Sequence, residues 1–138
     1  MFASTVNDQG KASHASLAGV VEPRIEPEII FGLAAAPTRD MDEQALTGCM
    51  AWIAHGFEVV CSIFPGWDCL AADAVAGFGM HSSLWIGPRS DYVTRADEWA
   101  LVTTGSLTRA PPIAAGEVWT TRMTGIPLEG SRLALTAG

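Results

Sequence analysis

The sequence predicts a single α+β domain built mainly of strands, with one main helix. Three observations carry this reading. Runs rich in Ile, Val, Phe and Trp, bounded by Gly and Pro, recur along the chain and read as strands. One segment, from Asp40 to Gly56, spaces its apolar residues as a helix does. A length of 138 residues, 49% of them hydrophobic and 17% charged, suits one packed core and lies outside the composition of disordered chains.

Residues 1–16 are polar and small, without a hydrophobic period, and read as a flexible arm ahead of a domain over 17–138. Val20 to Leu33 reads as a strand region, and residues 34–39 as a loop. Asp40 is the expected N-cap of the helix, with Glu43 three residues on as a capping box requires. Leu46, Cys49, Met50 and Ile53 then form one apolar helical face, and Gly56 is the expected stop. Phe57 to Phe64 returns to strand-type residues before Pro65 and Gly66 force a turn. Asp73 to Ile86 is Ala- and Gly-rich and ends in a short strand closed by a turn at Gly87 and Pro88. Residues 89–100 read as a short polar connector. Leu101 to Thr104 is a strand opening into a Gly105 loop, and Val118 to Met123 with Arg132 to Thr136 forms an antiparallel pair.

Charge and cysteine content exclude several partners. A net charge of -7 with eight Lys and Arg argues against nucleic acid or an anionic membrane. The longest apolar run, Gly48 to Phe64, contains His55 and Glu58 and falls short of a bilayer span, so no membrane partner is expected. Cys49, Cys61 and Cys69 are an odd set without Cys-x-x-Cys spacing. They read as reduced thiols packed as small hydrophobes, and the N-terminus lacks the positive start and apolar core of an export signal. A cytoplasmic location is expected.

Glu26 and Glu28 stand two apart in an extended run, so their carboxylates point to the same side. Like charges held this close raise each other's proton affinity unless a cation sits between them. A solvent-facing edge strand is the alternative, which Pro27 favours because it cannot donate to a ladder. Glu58, set among Phe57, Val59, Val60 and Ile63, is costly to bury ionised without a partner. With Glu26 and Glu28 it would make an all-oxygen set suited to Mg2+ or Mn2+ rather than zinc. A salt bridge from Glu58 to Arg24 or Arg122 is the competing explanation.

Other motifs say less. His55, at the expected helix end, reads as a cation favoured by the helix dipole. His81 beside Ser82 and Ser83 makes a poor Ser-His relay, because strand neighbours face opposite ways. Gly77-Phe78-Gly79 lacks the third glycine of a dinucleotide fingerprint. Gly105, flanked by Thr103, Thr104, Ser106 and Thr108, is either an ordinary polar turn or a source of backbone amides for a carboxylate ligand. No catalytic residue is assigned from these patterns.

Taken together, Pro23-Arg24-Ile25-Glu26-Pro27-Glu28-Ile29, Phe57-Glu58-Val59-Val60 with Trp67 downstream, Asp73-Ala74-Val75-Ala76 and Thr104-Gly105-Ser106-Leu107 resemble the fumarylacetoacetate hydrolase superfamily. The branch they look most like is that of 2-keto-4-pentenoate hydratase and 4-oxalocrotonate decarboxylase. The order and spacing match over Leu17 to Ile86 and over Leu101 to Leu135, where Ala115-Gly116-Glu117 and Gly125-Ile126 fall in the closing strands.

The resemblance implies a mixed, strongly curved sheet of the β-roll type, shortened at 89–100, where relatives carry a long insert. It implies Glu26, Glu28 and Glu58 as ligands of Mg2+ or Mn2+, and Thr104, Gly105 and Ser106 as substrate contacts. The implied activity is that of a hydratase or decarboxylase of small 2-oxo or 2-hydroxydienoic acids, as in catabolism of aromatic compounds. Relatives of this branch also carry a catalytic lysine in an N-terminal region, and Lys11, the only lysine of this chain, is not matched to it. The other expectation is therefore a non-catalytic shortened relative, a partner subunit or gene remnant. Losing the insert strands would expose sheet edges, so a homo-oligomer or a complex with a related subunit is expected.

Overall fold

Strands dominate because the apolar runs pair with one another across long stretches of chain. A computed structural model describes residues 3–8, 12–91, 100–106, 108–125 and 127–138. Lys11, most of the connector including Trp99, Leu107 and Ile126 lie outside the described residues. The strands are β1 (Val6–Asp8), β2 (Ala12–Ser16), β3 (Arg24–Leu33), β4 (Met50–Val60), β5 (His81–Asp91), β6 (Ala100–Thr103), β7 (Val118–Thr120) and β8 (Arg132–Thr136). Among the described residues two short helices, α1 (Glu43–Thr47) and α2 (Ala71–Ala76), join them, with 3-10 turns at Ala3–Thr5, Pro65–Trp67 and Phe78–Met80.

The larger sheet has the order β1-β5-β4-β3-β6 and is mixed, since β1 runs parallel to β5 and the other neighbours are antiparallel. It curls strongly into a half-barrel. The smaller sheet has the order β2-β8-β7, with β2 parallel to β8. The expected antiparallel closing pair is thus present as β7 and β8. The expected α+β class and the curved, mixed sheet are those of the chain.

Side chains alternate along β3 and β4, so each face of the pair builds its own core. Ile25, Phe57 and Val59 on one face pack with Ala15, Leu133 and Leu135 from the smaller sheet. On the other face Ile30, Trp52 and Ala54 pack with Leu84 and Ile86 of β5. Burial on both faces explains the largest departure from the sequence reading. The expected helix over Asp40 to Gly56 is replaced by the five-residue α1 and then by the eleven-residue β4. Its cap is Asp42 rather than Asp40: the Asp42 carboxylate accepts a hydrogen bond from the Ala45 amide at 2.8 Å. Met50 to Gly56 shows no apolar/polar alternation because neither face meets water, so the spacing of Leu46, Cys49, Met50 and Ile53 imitates a helix. Pairing on both sides, with β3 and β5, overrides that local pattern.

Two further expectations change. Within residues 1–16, read as a loose arm, the described residues form β1 and β2, which gain hydrogen bonds by lying parallel to β5 and β8. Gly87 and Pro88 do not end a strand. β5 continues to Asp91 through a bulge there, stepping from Ile86 opposite Gly56 to Arg89 opposite Ala54. No helix among the described residues is long and apolar enough to cross a membrane.

Candidate metal centre

The register of β3 on β4 decides which acids meet. Glu26 stands directly opposite Glu58, and Glu28 opposite Gly56, on the face that carries Ile30. Directly opposed residues of an antiparallel pair share a side, so all three carboxylates converge. One oxygen from each lies within 4.8 Å of the others. Gly56 is required at its position because a Cβ there would stand 2.1 Å from Ile30 Cδ1 and 2.7 Å from the Trp85 carbonyl oxygen.

Pro27 fits between the two glutamates for a structural reason. The Ile25 amide donates to the Pro111 carbonyl and the Ile29 amide to Thr104 Oγ1, at 3.2 and 3.3 Å. β6 pairs with β3 only from Ile30 onward, so the chain leaves β3 between these two bonds and no acceptor goes unmet opposite Pro27. The edge position expected from Pro27 is therefore real but local. It does not turn the glutamates to solvent: Glu28 is 2% exposed.

Electrostatics at the trio are unfavourable as they stand. Both Glu28 oxygens are buried without a hydrogen-bond partner. Burial, then the Glu58 and Glu26 charges, push the Glu28 carboxyl up to about 7. The Gly105 amide and Thr103 hydroxyl pull the other way, but neither makes a well-formed bond to those oxygens. Glu26 is raised as well, by burial first and then by Glu58. Three carboxylates of this kind are a hard, all-oxygen donor set for one divalent cation, which would relieve the repulsion and give the orphaned oxygens a partner.

Glu58 has a neighbour that the sequence reading missed. His81 Nδ1 lies 2.6 Å from Glu58 Oε1. Neither expected arginine pairs with Glu58: Arg24 lies over the Trp67 ring, 4.4 Å from its centroid, and the side chain against Glu58 is His81. The register that brings His81 opposite Val60, a diagonal neighbour of Glu58 on the same face, includes a bulge that no local sequence signal marks.

Of the expected substrate-contacting residues, Thr104 is tied to β3, its amide donating to the Ile29 carbonyl at 3.1 Å. Gly105 follows with φ of 78°, a conformation glycine adopts freely. The Ser106 hydroxyl donates to the Thr108 carbonyl at 2.7 Å, shaping the turn. This segment borders Glu28 through the Gly105 amide and Thr103.

A cavity of ≈ 320 Å³ adjoins the site, lined by Glu28, His55, Thr108, Thr121, Arg122 and Met123 among others. Glu28 alone of the three acids reaches it. His55 belongs to β4, opposite Ile29, and not to a helix end, so the expected helix-dipole role falls away. Its Nδ1 lies 2.9 Å from Thr121 Oγ1, and burial lowers its pKa. A His whose folded pKa is depressed contributes stability that is present above its unfolded value, near 6.5, and lost as pH falls. The stability difference between the parent and His55→Gln is therefore expected to shift against the parent when urea unfolding is measured at pH 5 instead of pH 7. A constant difference would show that His55 titrates alike in both states.

No protein-family model and no curated protein matches the sequence. Among solved structures the chain is similar to 4-oxalocrotonate decarboxylase from Pseudomonas putida G7 complexed with magnesium and adipate, at a TM-score of 0.75. It is similar also to the same enzyme complexed with calcium and acetate, at 0.71. Identity is 14% in both, and the match covers 96% of this chain and 66% of the other, so the chain spans just under two-thirds of those structures. The architecture implied by the resemblance to the fumarylacetoacetate hydrolase superfamily is thus borne out at the level of fold: this chain has the fold of 4-oxalocrotonate decarboxylase.

Proposed function

We propose that Glu26, Glu28 and Glu58 hold one Mg2+ or Mn2+ ion, and that the chain acts there on small 2-oxo or 2-hydroxydienoic acids as a hydratase or decarboxylase. The observation that carries this reading is the convergence of the three carboxylates around the buried Glu28, both of whose oxygens lack a partner. When bound, the ion supplies Lewis acidity to the keto and carboxylate oxygens of such an acid. The chain's own residues do the rest. The Thr104 anchor on β3 holds the Gly105 amide beside Glu28, and the Gly105 and Ser106 amides can receive a substrate carboxylate. The neighbouring cavity is of a size that admits a small acid, and Arg122 gives its wall a cation. The fold shared with a decarboxylase solved with magnesium supports the same reading.

Loss of ultraviolet absorbance by 2-hydroxypenta-2,4-dienoate tests hydration, and release of CO2 from 4-oxalocrotonate tests decarboxylation. One of the two is expected to proceed only with Mg2+ or Mn2+ and to fail in Glu58→Gln. A protein that binds the ion but turns over neither acid fits a second reading, that of a non-catalytic relative acting as a partner subunit or of a gene remnant. Under either reading, association with a second copy or a related subunit would cover Ile63, Leu70, Val75 and Phe78, each at least 70% exposed.

A further inference from the structure

Glu58 is held from behind. His81 Nδ1 stands 2.6 Å from Glu58 Oε1, and His81 Nε2 stands 2.7 Å from Thr5 Oγ1. The two side chains are well enclosed, at 6% exposure for His81 and 13% for Glu58. A carboxylate that ligates a metal is ionised and only accepts hydrogen bonds, so in that state Nδ1 carries the proton and the ring donates to Oε1. Thr5 then fixes the far side of the ring. It is brought there by the parallel pairing of β1 with β5, which sets Val6 opposite Leu84, three residues beyond His81. The chain Thr5, His81, Glu58 thus runs from the N-terminal segment into the acidic trio.

We propose that His81 is a positioning residue for the metal centre: by occupying Glu58 Oε1 it leaves the other oxygen, Oε2, to face Glu26 and Glu28, and so makes Glu58 a one-oxygen ligand of fixed direction. This inference rests on the metal-binding reading above. Its physical basis is general, since ligating carboxylates held by a hydrogen bond behind the ligand plane are pre-oriented and lose less freedom on binding an ion. An ion pair that merely neutralised Glu58 would need only a positive charge nearby. The positioning role needs a donor at the Nδ1 position.

Two polar replacements separate these possibilities. Asparagine places its side-chain amide near the position of Nδ1, whereas glutamine places it near Nε2. Mn2+ binding, read by calorimetry and by the electron paramagnetic resonance of the bound ion, is expected to weaken about 10–100-fold in His81→Gln, the usual cost of losing such a support. His81→Asn is expected to recover most of the parent's affinity and its Mn2+ spectrum, although neither variant carries an imidazole. A His81→Gln protein that binds Mn2+ as tightly as the parent, or equal losses in both variants, overturns the positioning role. If the parent binds Mn2+ and Glu28→Gln does not, either of those results removes His81 alone and leaves the metal centre standing. A parent that binds no Mn2+ overturns both.

Discussion

Replacing Glu28 by glutamine is expected to raise the melting temperature of the metal-free protein at pH 8 by roughly 5 °C and to abolish its binding of Mg2+. The sign follows from the raised carboxyl. Its folded pKa, about 7, lies above the ordinary 4.5 because burial and the Glu58 and Glu26 charges disfavour ionisation. The folded state therefore holds the proton more tightly than the unfolded chain. Stability is fully present below about 4.5 and is lost as pH rises through 7. At pH 8 the side chain is ionised in both states, and its cost to the fold is on the order of 2 kcal/mol after allowing for relaxation around it. Glutamine removes the charge at nearly constant shape, and its amide can donate to the neighbouring carboxylates.

The gain should shrink towards zero at pH 5, where Glu28 is already protonated in the fold. The same proton competes with the ion. Mg2+ affinity should fall as pH drops below 7, by up to about tenfold per unit if one proton is displaced. Thermal melts at the two pH values, with and without Mg2+, read all of these effects. A Glu28→Gln protein less stable than the parent at pH 8 would mean that Glu28 is satisfied in the metal-free fold.

The second large effect lies in the core. Phe57→Ala should cost about 3–5 kcal/mol, a large share of the stability of any single domain. Phe57 is fully buried and joins Ile25 and Val59 of the larger sheet to Leu133 and Leu135 of the smaller one. Its ring is the largest completely enclosed side chain of the described residues, and truncation leaves a cavity that strands paired on both sides cannot close. Because Phe57 adjoins Glu58 in β4, the variant should also bind Mg2+ more weakly. Urea unfolding measures the first effect. A loss below about 1 kcal/mol would show that the two sheets do not depend on this contact.

What the sequence disclosed, and what it hid, follow from range. The Glu26-x-Glu28 spacing is a local signal, since a period of two holds wherever the chain is extended, and it placed both acids on one face. Glu58 was visible as a charge inside an apolar run. That Glu58 sits opposite Glu26 depends on register over thirty residues of separation, which resemblance to a known family supplied and local pattern did not. His81 stayed hidden for the same reason: only a bulge between β4 and β5 brings it to Glu58. The helix expected over Asp40 to Gly56 failed because a strand buried on both faces shows no alternation. β1 and β2 went unseen because three to five polar residues gain strand structure only from the partners they find.

Soaking crystals with Mn2+ and locating the ion by its anomalous scattering is the most direct test. A single peak per chain, ringed by one or more oxygens from each of Glu26, Glu28 and Glu58, is the predicted result. A peak elsewhere, or none at saturating Mn2+ and pH 8, would contradict the centre on which the rest is built.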